Sequence, residues 1–413
     1  MKHIQKIITS ELFVLLFFVF LFIAIRSLYY KNVFVFIYDQ VSSSTKALEL
    51  WKTKSITFIG PPMSLTVENR QIFFGGISYY IQLLFLLIGR FDPFWSTYAF
   101  MVFAGIMSIP LYYGMKKLVN KNAAVIMVTL YALLPFFIES TFTLWNPYFM
   151  FSLLPILVFC MGLFKTKKSL LSFMAISLLN GILFQLHYMY IFVWIGMVIY
   201  YFVMTKMSWK YCFIFLIGFA CGTLNLIVFE LRHNFYLLQT MWIFLTHAKK
   251  VSEHWFADYY LLSELFFAII IVLAIFKKRL NVYFITLLFT ILLILSVPYV
   301  TIQAGARNYP KDWYYKDELT IYQIIKSNLN AIHDFNIFEF YVATGTLPKY
   351  FLKKDNVQIN FDDYYHNKYL YVVYKNDQFM KDPAYEVATF SPSKTIKVWK
   401  INKVYNLYLL ERL

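Results

Sequence analysis

Residues 169–205, SLLSFMAISLLNGILFQLHYMYIFVWIGMVIYYFVMT, contain no charged side chain. A single helix over this stretch would be roughly 56 Å long at ~1.5 Å per residue, nearly twice the ~30 Å thickness of a bilayer core. The stretch therefore predicts a membrane hairpin that turns near Gln185 and His187. Because 60% of the 413 residues are apolar, the sequence excludes a soluble enzyme and predicts a polytopic membrane protein.

The net charge of +16 is distributed as a topology signal. Five short stretches between apolar runs hold thirteen cations and no acid. Short cytoplasmic loops are enriched in Lys and Arg, so this excess indicates loop orientation and argues against a nucleic-acid partner. The cations are Lys2, Lys6, Lys116, Lys117, Lys121, Lys165, Lys167, Lys168, Lys206, Lys210, Lys277, Lys278 and Arg279.

Placing these five stretches on the cytoplasmic side requires an even number of crossings between any two of them. The rule predicts hairpins over 122–164, 169–205 and 211–276, followed by a last span at about 281–300. Together with a first span at about 12–30, read as a signal anchor, and one crossing at 94–115, the count is about nine transmembrane helices.

Two apolar runs, 72–89 and 94–115, lie where only one net crossing is allowed. We assign 72–89 to an interfacial or re-entrant juxtamembrane helix on the outer face. Residues 31–93 then form the first outer loop, within a transmembrane domain that covers residues 1–300.

Residues 301–413 are polar and mixed in charge. Helical spacing of apolar residues predicts an amphipathic helix at 319–332. Runs rich in Val, Ile, Tyr and Phe predict strands at 337–343, 369–374 and 395–409. The expected fold class is thus an all-α polytopic membrane protein with a small C-terminal α/β extracytoplasmic domain.

Motifs for nucleotide or metal chemistry are absent from the sequence, which has no P-loop, G-x-G-x-x-G, H-E-x-x-H, C-x-x-C or D-x-D. Cys160, Cys212 and Cys221 fall in predicted spans and are expected to be packing residues, so neither a disulfide nor a metal site is predicted. Gly218 and Gly222 form a G-x-x-x-G that indicates close helix packing.

Two predicted outer segments carry charged candidates. Asp39 follows the first span, where an ionisable side chain is either a solvated loop acid or a functional group. Arg232 and His233 close a later span, and a cation pair there requires an anion, either Glu230 or an exogenous phosphate.

Two further turns carry neutral candidates. Trp145, Asn146 and Pro147 are typical of a helix start within an aromatic belt, or they line a pocket. His187 and Tyr188 lie in the turn of the uncharged hairpin, where a lone His is either a structural hydrogen-bonding residue or part of a site.

Taken in order, six short segments resemble polyprenyl-phosphate-sugar-dependent glycosyltransferases of the GT-C superfamily, in the branch that contains protein O-mannosyltransferases and the aminoarabinose transferase of lipid A. The resemblance covers roughly residues 10–240. The segments are Asp39-Gln40, Gly60-Pro61-Pro62, Gly76 to Tyr80, Leu144-Trp145-Asn146-Pro147, Phe184-Gln185-Leu186-His187-Tyr188 and Phe229-Glu230-Leu231-Arg232-His233.

The resemblance implies an active site at the outer interface and inverting transfer of one sugar from a polyprenyl phosphate to an acceptor hydroxyl. Asp39 matches the family's catalytic carboxylate and would act as the general base. For a second acid later in the first loop, Glu68 is the nearest candidate, with Glu49 and Asp92 as alternatives. Residues expected to bind the donor phosphate or sugar are Arg232, His233, His187, Tyr188, Trp145 and Asn146.

The expected partners are a polyprenyl-phosphate-linked sugar, a glycan, lipid or protein acceptor, and membrane lipids, with no metal or other cofactor indicated. The expected location is a bacterial cytoplasmic membrane, crossed several times, with the active site and the C-terminal domain on the extracytoplasmic side. Two alternative functions are a transporter or flippase of lipid-linked sugars and a non-catalytic subunit of a polysaccharide assembly complex.

Overall fold

The computed structural model describes residues 11–28, 30–34, 36, 38–206, 208–247, 261–302, 313–339, 346–357, 364–375 and 384–413. The chain divides into two compact units. One comprises Met1–Leu28 and Thr53–Val300, and the other comprises Tyr29–Lys52 and Thr301–Leu413. Residues 29–52, which the sequence places in the first outer loop, therefore contact the C-terminal residues.

Helices dominate the described chain, and two small sheets complete it. The helices are Glu11–Ser27 (α1), Tyr30–Val33 (α2), Tyr38–Thr53 (α3), Ile77–Ile88 (α4), Pro93–Ile106 (α5), Ser108–Leu118 (α6), Lys121–Leu133 (α7), Pro135–Glu139 (α8), Asn146–Lys167 (α9), Leu170–Leu186 (α10), Ile191–Thr205 (α11), Trp209–Gly222 (α12), Leu224–Arg232 (α13), Tyr236–His247 (α14), Leu262–Ile275 (α15), Val282–Ile302 (α16), Tyr315–Asn328 (α17), Thr346–Lys354 (α18) and Tyr385–Ala388 (α19), with a 3-10 turn at Tyr188–Tyr190. The strands are Ile59–Val67 (β1), Arg70–Gly75 (β2), Phe335–Glu339 (β3), Tyr369–Tyr374 (β4), Ser393–Lys400 (β5) and Asn406–Arg412 (β6).

The first unit contains the apolar helices expected of a membrane-embedded protein. Among the described residues, three helical stretches are long and apolar enough to cross a membrane: Pro93–Leu118, Asn146–Lys167 and Tyr188–Thr205. The α12–α13 pair would make a fourth, although it bends by 72°. Other apolar helices, including α10 and α15, have only 10–17 residues. The predicted count of about nine spans is therefore not confirmed, because breaks such as the one before Pro135 divide the apolar runs.

The run 72–89 is not one helix, which corrects the first part of the predicted interfacial helix. Strands β1 and β2 pair antiparallel, and the helical part of the run begins only with α4. The connecting residues Glu68 and Asn69 have left-handed φ angles of 48° and 61°. Ile72 and Phe74 are buried, whereas Gln71 is exposed and Phe73 is half-buried, which is the period of two of a strand.

Gly218 and Gly222 bring α12 into close contact with α10. A Cβ atom on Gly218 would lie 2.5 Å from the Cβ of Ser177. A Cβ atom on Gly222 would overlap the carbonyl oxygen of Leu178. The prediction that this G-x-x-x-G is a helix-packing motif is confirmed.

Arg26 of α1 is fully buried and supports the break between α7 and α8. Its guanidinium donates to Thr141 Oγ1 at 2.8 Å, to the Ala132 carbonyl at 2.7 Å and to the Phe137 carbonyl at 3.1 Å. Carbonyls at helix ends lack intrahelical donors, so the arginine satisfies groups that the break would otherwise leave unpaired.

The second unit contains a small four-stranded sheet with helices. Its sheet has the strand order β3-β4-β6-β5, with β3 parallel to β4 and the other pairs antiparallel. Strand 369–374 is found as predicted. The run 395–409 is two strands, because residues 401–405 turn the chain between β5 and β6. Of the predicted strand 337–343, residues 340–343 lie outside the described residues.

The predicted helix at 319–332 starts and ends four residues earlier, as α17. Its start is fixed by a capping box between Tyr314 and Asp317. Glu318, in the first turn, is buried and accepts a hydrogen bond from Trp313 Nε1 at 2.8 Å. Burial raises the pKa of Glu318, so this carboxyl group holds its proton more tightly than a solvated carboxylate does.

Candidate functional site

Asp39 lies in the first turn of α3, in the second unit, with its side chain exposed. Among the residues that the structure describes, its carboxylate forms no hydrogen bond or ion pair. Desolvation by nearby protein atoms raises its pKa above the usual value, although part of the side chain stays open to solvent. An unoccupied carboxylate of raised pKa is suited to accept a proton.

The three candidates for a second acid differ in how their oxygens are used. Glu49 binds Lys353 at 2.9 Å and Lys46 at 3.2 Å. Desolvation would raise its pKa, but the hydrogen bonds and charges of these lysines lower it. Asp92 caps α5 by accepting the backbone N–H groups of residues 94 and 95.

Glu68 is exposed at the turn between β1 and β2. In the described part of the chain its carboxylate has no hydrogen-bond or ion-pair partner. Of the three acids, Glu68 is therefore the one whose oxygens remain available to a ligand. Its role stays a prediction.

His187 and Tyr188 lie against strand β2 of the first unit. His187 is buried and stacks on Phe74 with ring centroids 5.7 Å apart. Tyr188 packs on the same ring, and its hydroxyl donates to the Phe73 carbonyl at 2.6 Å. The hairpin β1–β2, which was not predicted from the sequence, therefore contacts and supports both residues.

Asn146 fixes the end of the helix that precedes His187. Its buried side-chain amide donates to the Leu186 carbonyl at 2.8 Å, where α10 ends. Trp145 precedes α9 as its N-cap and packs edge-on against Tyr148. These contacts fit the helix-start interpretation of the segment and place Asn146 behind His187.

Glu230 is a cap for the next helix. Its two carboxylate oxygens accept the backbone N–H groups of Leu237 and Leu238, at 2.9 and 3.1 Å, at the start of α14. A carboxylate at a helix N-terminus is stabilised by the unpaired N–H groups and by the helix dipole. Of the two anions considered for Arg232, Glu230 is therefore already bound elsewhere.

Arg232 is exposed, and its guanidinium carbon lies 5.2 Å from the centroid of the Phe58 ring. Among the described residues it forms no ion pair. His233 stacks on Phe229, and its Nδ1 lies 2.8 Å from the Phe229 carbonyl. Because a carbonyl only accepts, Nδ1 carries the proton and Nε2 is left for other partners.

Arg70 is a second cation beside this group, half-buried, and it was not predicted from the sequence. Its guanidinium lies 5.6 Å from the Tyr236 ring centroid and donates to Gln239 at 3.3 Å. The available signal was the same as for Arg232, a cation outside the five cationic stretches. Strand β2 carries Arg70 to α14, a position that no local pattern predicts.

The predicted donor-binding residues thus lie along one connected set of contacts. Asn146 holds the turn before His187, Tyr188 joins β2, and the residues beside Arg232 pack on the same hairpin. A hydrophobic cluster links them; it contains Leu226, Phe229 and Leu237, with Phe58, Ile59, Phe73, Tyr188 and Tyr236 packed around it. In the described ranges no three His, Cys, Asp or Glu side chains gather as a metal site would require. The group therefore offers cations and aromatic rings to an anionic, apolar ligand.

Comparison with known proteins adds a fold. No protein-family profile and no curated protein sequence matches the chain. It is similar in structure to apo ArnT from Cupriavidus metallidurans, with a TM-score of 0.52 and 8% identity over 95% of this chain and 97% of that one. With ArnT bound to undecaprenyl phosphate, the TM-score is 0.54 and the identity 9% over 98% and 99% of the chains. These likenesses show the fold alone: this chain has the fold of ArnT.

Proposed function

We propose that this protein is an inverting glycosyltransferase that moves one sugar, a hexose or a pentose, from a polyprenyl phosphate to an acceptor hydroxyl. The observation that carries the proposal is the likeness over 98% of the chain to ArnT with undecaprenyl phosphate bound. The acceptor is a glycan, lipid or protein of the cell envelope. No metal or other cofactor takes part in the proposed reaction.

Asp39 is the proposed base. Its carboxylate accepts the proton of the acceptor hydroxyl while the hydroxyl oxygen forms a bond to the anomeric carbon. The bond from that carbon to the phosphate oxygen breaks, and its electron pair stays on the lipid phosphate. General-base assistance of this kind contributes roughly 10²- to 10⁴-fold in rate. Glu68 is the proposed second acid, because its oxygens are unoccupied in the described part of the chain.

The leaving phosphate gains negative charge, which Arg232 and His233 are proposed to stabilise. Support comes from the capping role of Glu230, because that role leaves the Arg232 guanidinium without this carboxylate. His187 and Tyr188, with Trp145 and Asn146 behind them, shape the wall of the donor pocket in this proposal. Aromatic rings around the hairpin suit the isoprenoid tail.

The proposed location is a bacterial cytoplasmic membrane with about nine crossings. The active site and the C-terminal domain, residues 301–413, lie outside in this proposal. The charge pattern supports this orientation, because the five cationic stretches belong on the cytoplasmic side. The 17-residue helix α10 is at the short end of what spans a bilayer core, which needs ~17–25 residues.

The test is turnover of radiolabelled polyprenyl-phosphate sugars by the purified full-length protein with envelope extracts as acceptors. The wild type should transfer label, and Asp39→Asn should lose most of the rate while keeping the folded yield. Glu386→Gln removes another acid of the second unit and should leave transfer unchanged.

Absence of transfer by the wild type with every donor tested would contradict the proposal. Movement of labelled donor across vesicles without transfer would favour the transporter instead. Transfer that depends on added partner proteins and is unaffected by Asp39→Asn would favour a non-catalytic subunit.

A further inference from the structure

Helix α3, which carries Asp39, is held at its start by aromatic contacts within the second unit. Phe34 packs edge-on against Tyr315 of α17, with ring centroids 5.0 Å apart. Phe36, also buried, packs against Tyr350 of α18 at 5.7 Å. Asp39 follows three positions later, so the backbone that enters its helix is fixed by the C-terminal residues.

The far end of α3 is held by Lys52. Its ammonium donates to the carbonyls of Lys353 and Lys354, at 2.7 and 3.1 Å, and to Asn356 Oδ1 at 2.6 Å. An ammonium has three protons, and all three are used. The two carbonyl acceptors belong to the last turn of α18, and Asn356 lies two residues beyond its end. The carbonyl groups at a helix end and the helix dipole favour a cation there.

Glu49 adds a second link on the same face of α3, three residues before Lys52. Its carboxylate pairs with Lys353 in the last turn of α18 at 2.9 Å. Lys46 also binds Glu49, at 3.2 Å, but that contact stays within α3. The two helices are therefore joined by Glu49 and Lys52, whereas Lys46 joins nothing beyond its own helix among the described residues.

The length of α3 makes the position of Asp39 sensitive to the contacts at Lys52 and Glu49. Lys52 lies roughly 20 Å from Asp39 along the helix axis at ~1.5 Å per residue. A tilt of about 10° at the Lys52 end would move the Asp39 carboxylate by roughly 3 Å, and a misplacement of about 1 Å in a reacting group can cost ~10²-fold in rate.

We propose that Lys52, with Glu49, positions Asp39 for proton transfer by fixing α3 to the end of α18. The second unit thereby contributes to the reaction, because its helix α18 holds the helix that carries the base. This inference rests on the proposed function and adds positioning residues to it.

The kinetic test compares Lys52→Met with Lys46→Met in the full-length protein. Lys52→Met should lower kcat about tenfold to a hundredfold with little change in the KM for the donor. The acid limb of its pH–rate profile should keep its midpoint, because Asp39 remains the base. Lys52→Arg should recover part of kcat, and Lys46→Met should resemble the wild type.

Equal kcat values for Lys52→Met and Lys46→Met would overturn the proposal. So would a loss of kcat that only follows a loss of folded protein. These outcomes are separate from failure of the proposed function, which is absence of transfer by the wild type.

If the wild type shows no transfer, a measurement that needs no turnover tests whether Lys52 fixes α3. A spin label is placed on Asp39→Cys in a chain whose Cys160, Cys212 and Cys221 are replaced by alanine. Adding Lys52→Met should increase the label's mobility in the resonance spectrum, and adding Lys46→Met should not. Identical spectra for the Lys52→Met and Lys46→Met proteins would show that Lys52 does not fix α3.

Discussion

Asp39 combines a raised pKa with oxygens that have no partner among the described residues, so its titration is the sharpest test at the scale of one residue. The carboxylate accepts a proton only while ionised. As the pH falls through its pKa, kcat/KM should therefore fall, with a midpoint above the ~3.9 of an ordinary aspartate. The pH–rate profile of purified protein measures this, and a midpoint at or below the ordinary value would contradict the assignment.

Arg232 is the residue on which the donor phosphate should depend. Arg232→Gln should lower kcat/KM for the lipid-linked donor by roughly 10²-fold, because one cationic donor to the leaving phosphate is lost. Arg90→Gln is the matched control, since Arg90 is also exposed in the first unit. Equal losses in the two variants, in initial rates at several donor concentrations, would remove Arg232 from the site.

Single residues show where sequence reasoning stops. Asp39 and Arg232 stand out by charge against an apolar background, so they were identifiable from the sequence. The two anions proposed for Arg232 could not be separated there. Glu230 reaches the start of α14 only because Asn234 and Phe235 reverse the chain with φ angles of 51° and 59°. Apolar spacing carries no signal for such a reversal.

At the scale of the element, the hairpin β1–β2 depends on Gly75. A Cβ at this position would overlap the side chain of Gln185. Gly75→Ala should therefore lower the midpoint of thermal unfolding, because hairpin and α10 must separate. Gly196→Ala is the control, because nothing lies within 4 Å of its Cβ position. Thermal scans in detergent measure both, and a stable Gly75→Ala protein would show that the hairpin can shift without cost.

Helices and strands were predictable from the sequence where the pattern of apolar and polar residues runs through the whole element. The uncharged stretch 169–205 predicts its hairpin, and α10 and α11 follow it closely. Strand 369–374 stands between polar flanks and was placed correctly. The strand part of 72–89 was hidden, because β2 runs directly into the apolar helix α4 and only its alternation distinguishes it. The break between α7 and α8 was not predicted either, although Pro135 is a local signal for it. The buried Arg26 that satisfies carbonyls at this break is distant in sequence.

At the scale of the whole molecule, the buried Glu318 links stability to pH. Burial raises the pKa of Glu318, so the folded protein binds this proton more tightly than the unfolded chain does. The resulting stability is present below the pKa of the unfolded state and is lost as the pH rises through the folded pKa. The unfolding midpoint of the second unit should therefore fall toward alkaline pH.

Glu318→Gln keeps an acceptor for Trp313 and removes the titration. In thermal scans over a pH series, its midpoint should vary less than that of the wild type and should exceed it on the alkaline side. Parallel curves for the two proteins would mean that other groups cause the dependence.

The contact between α3 and α18 also determines when, during synthesis, Asp39 can be positioned. Lys52 and its acceptor on Lys353 are 301 residues apart in the chain. At ~5–20 residues per second, a ribosome needs roughly 15 to 60 s to make the second after the first. Throughout that interval Asp39 has left the ribosome without the helix that supports it. A nascent chain is therefore expected to be inactive toward lipid-linked sugars. It becomes active only after the end of α18, which is synthesised late, has emerged and bound α3, which is synthesised early.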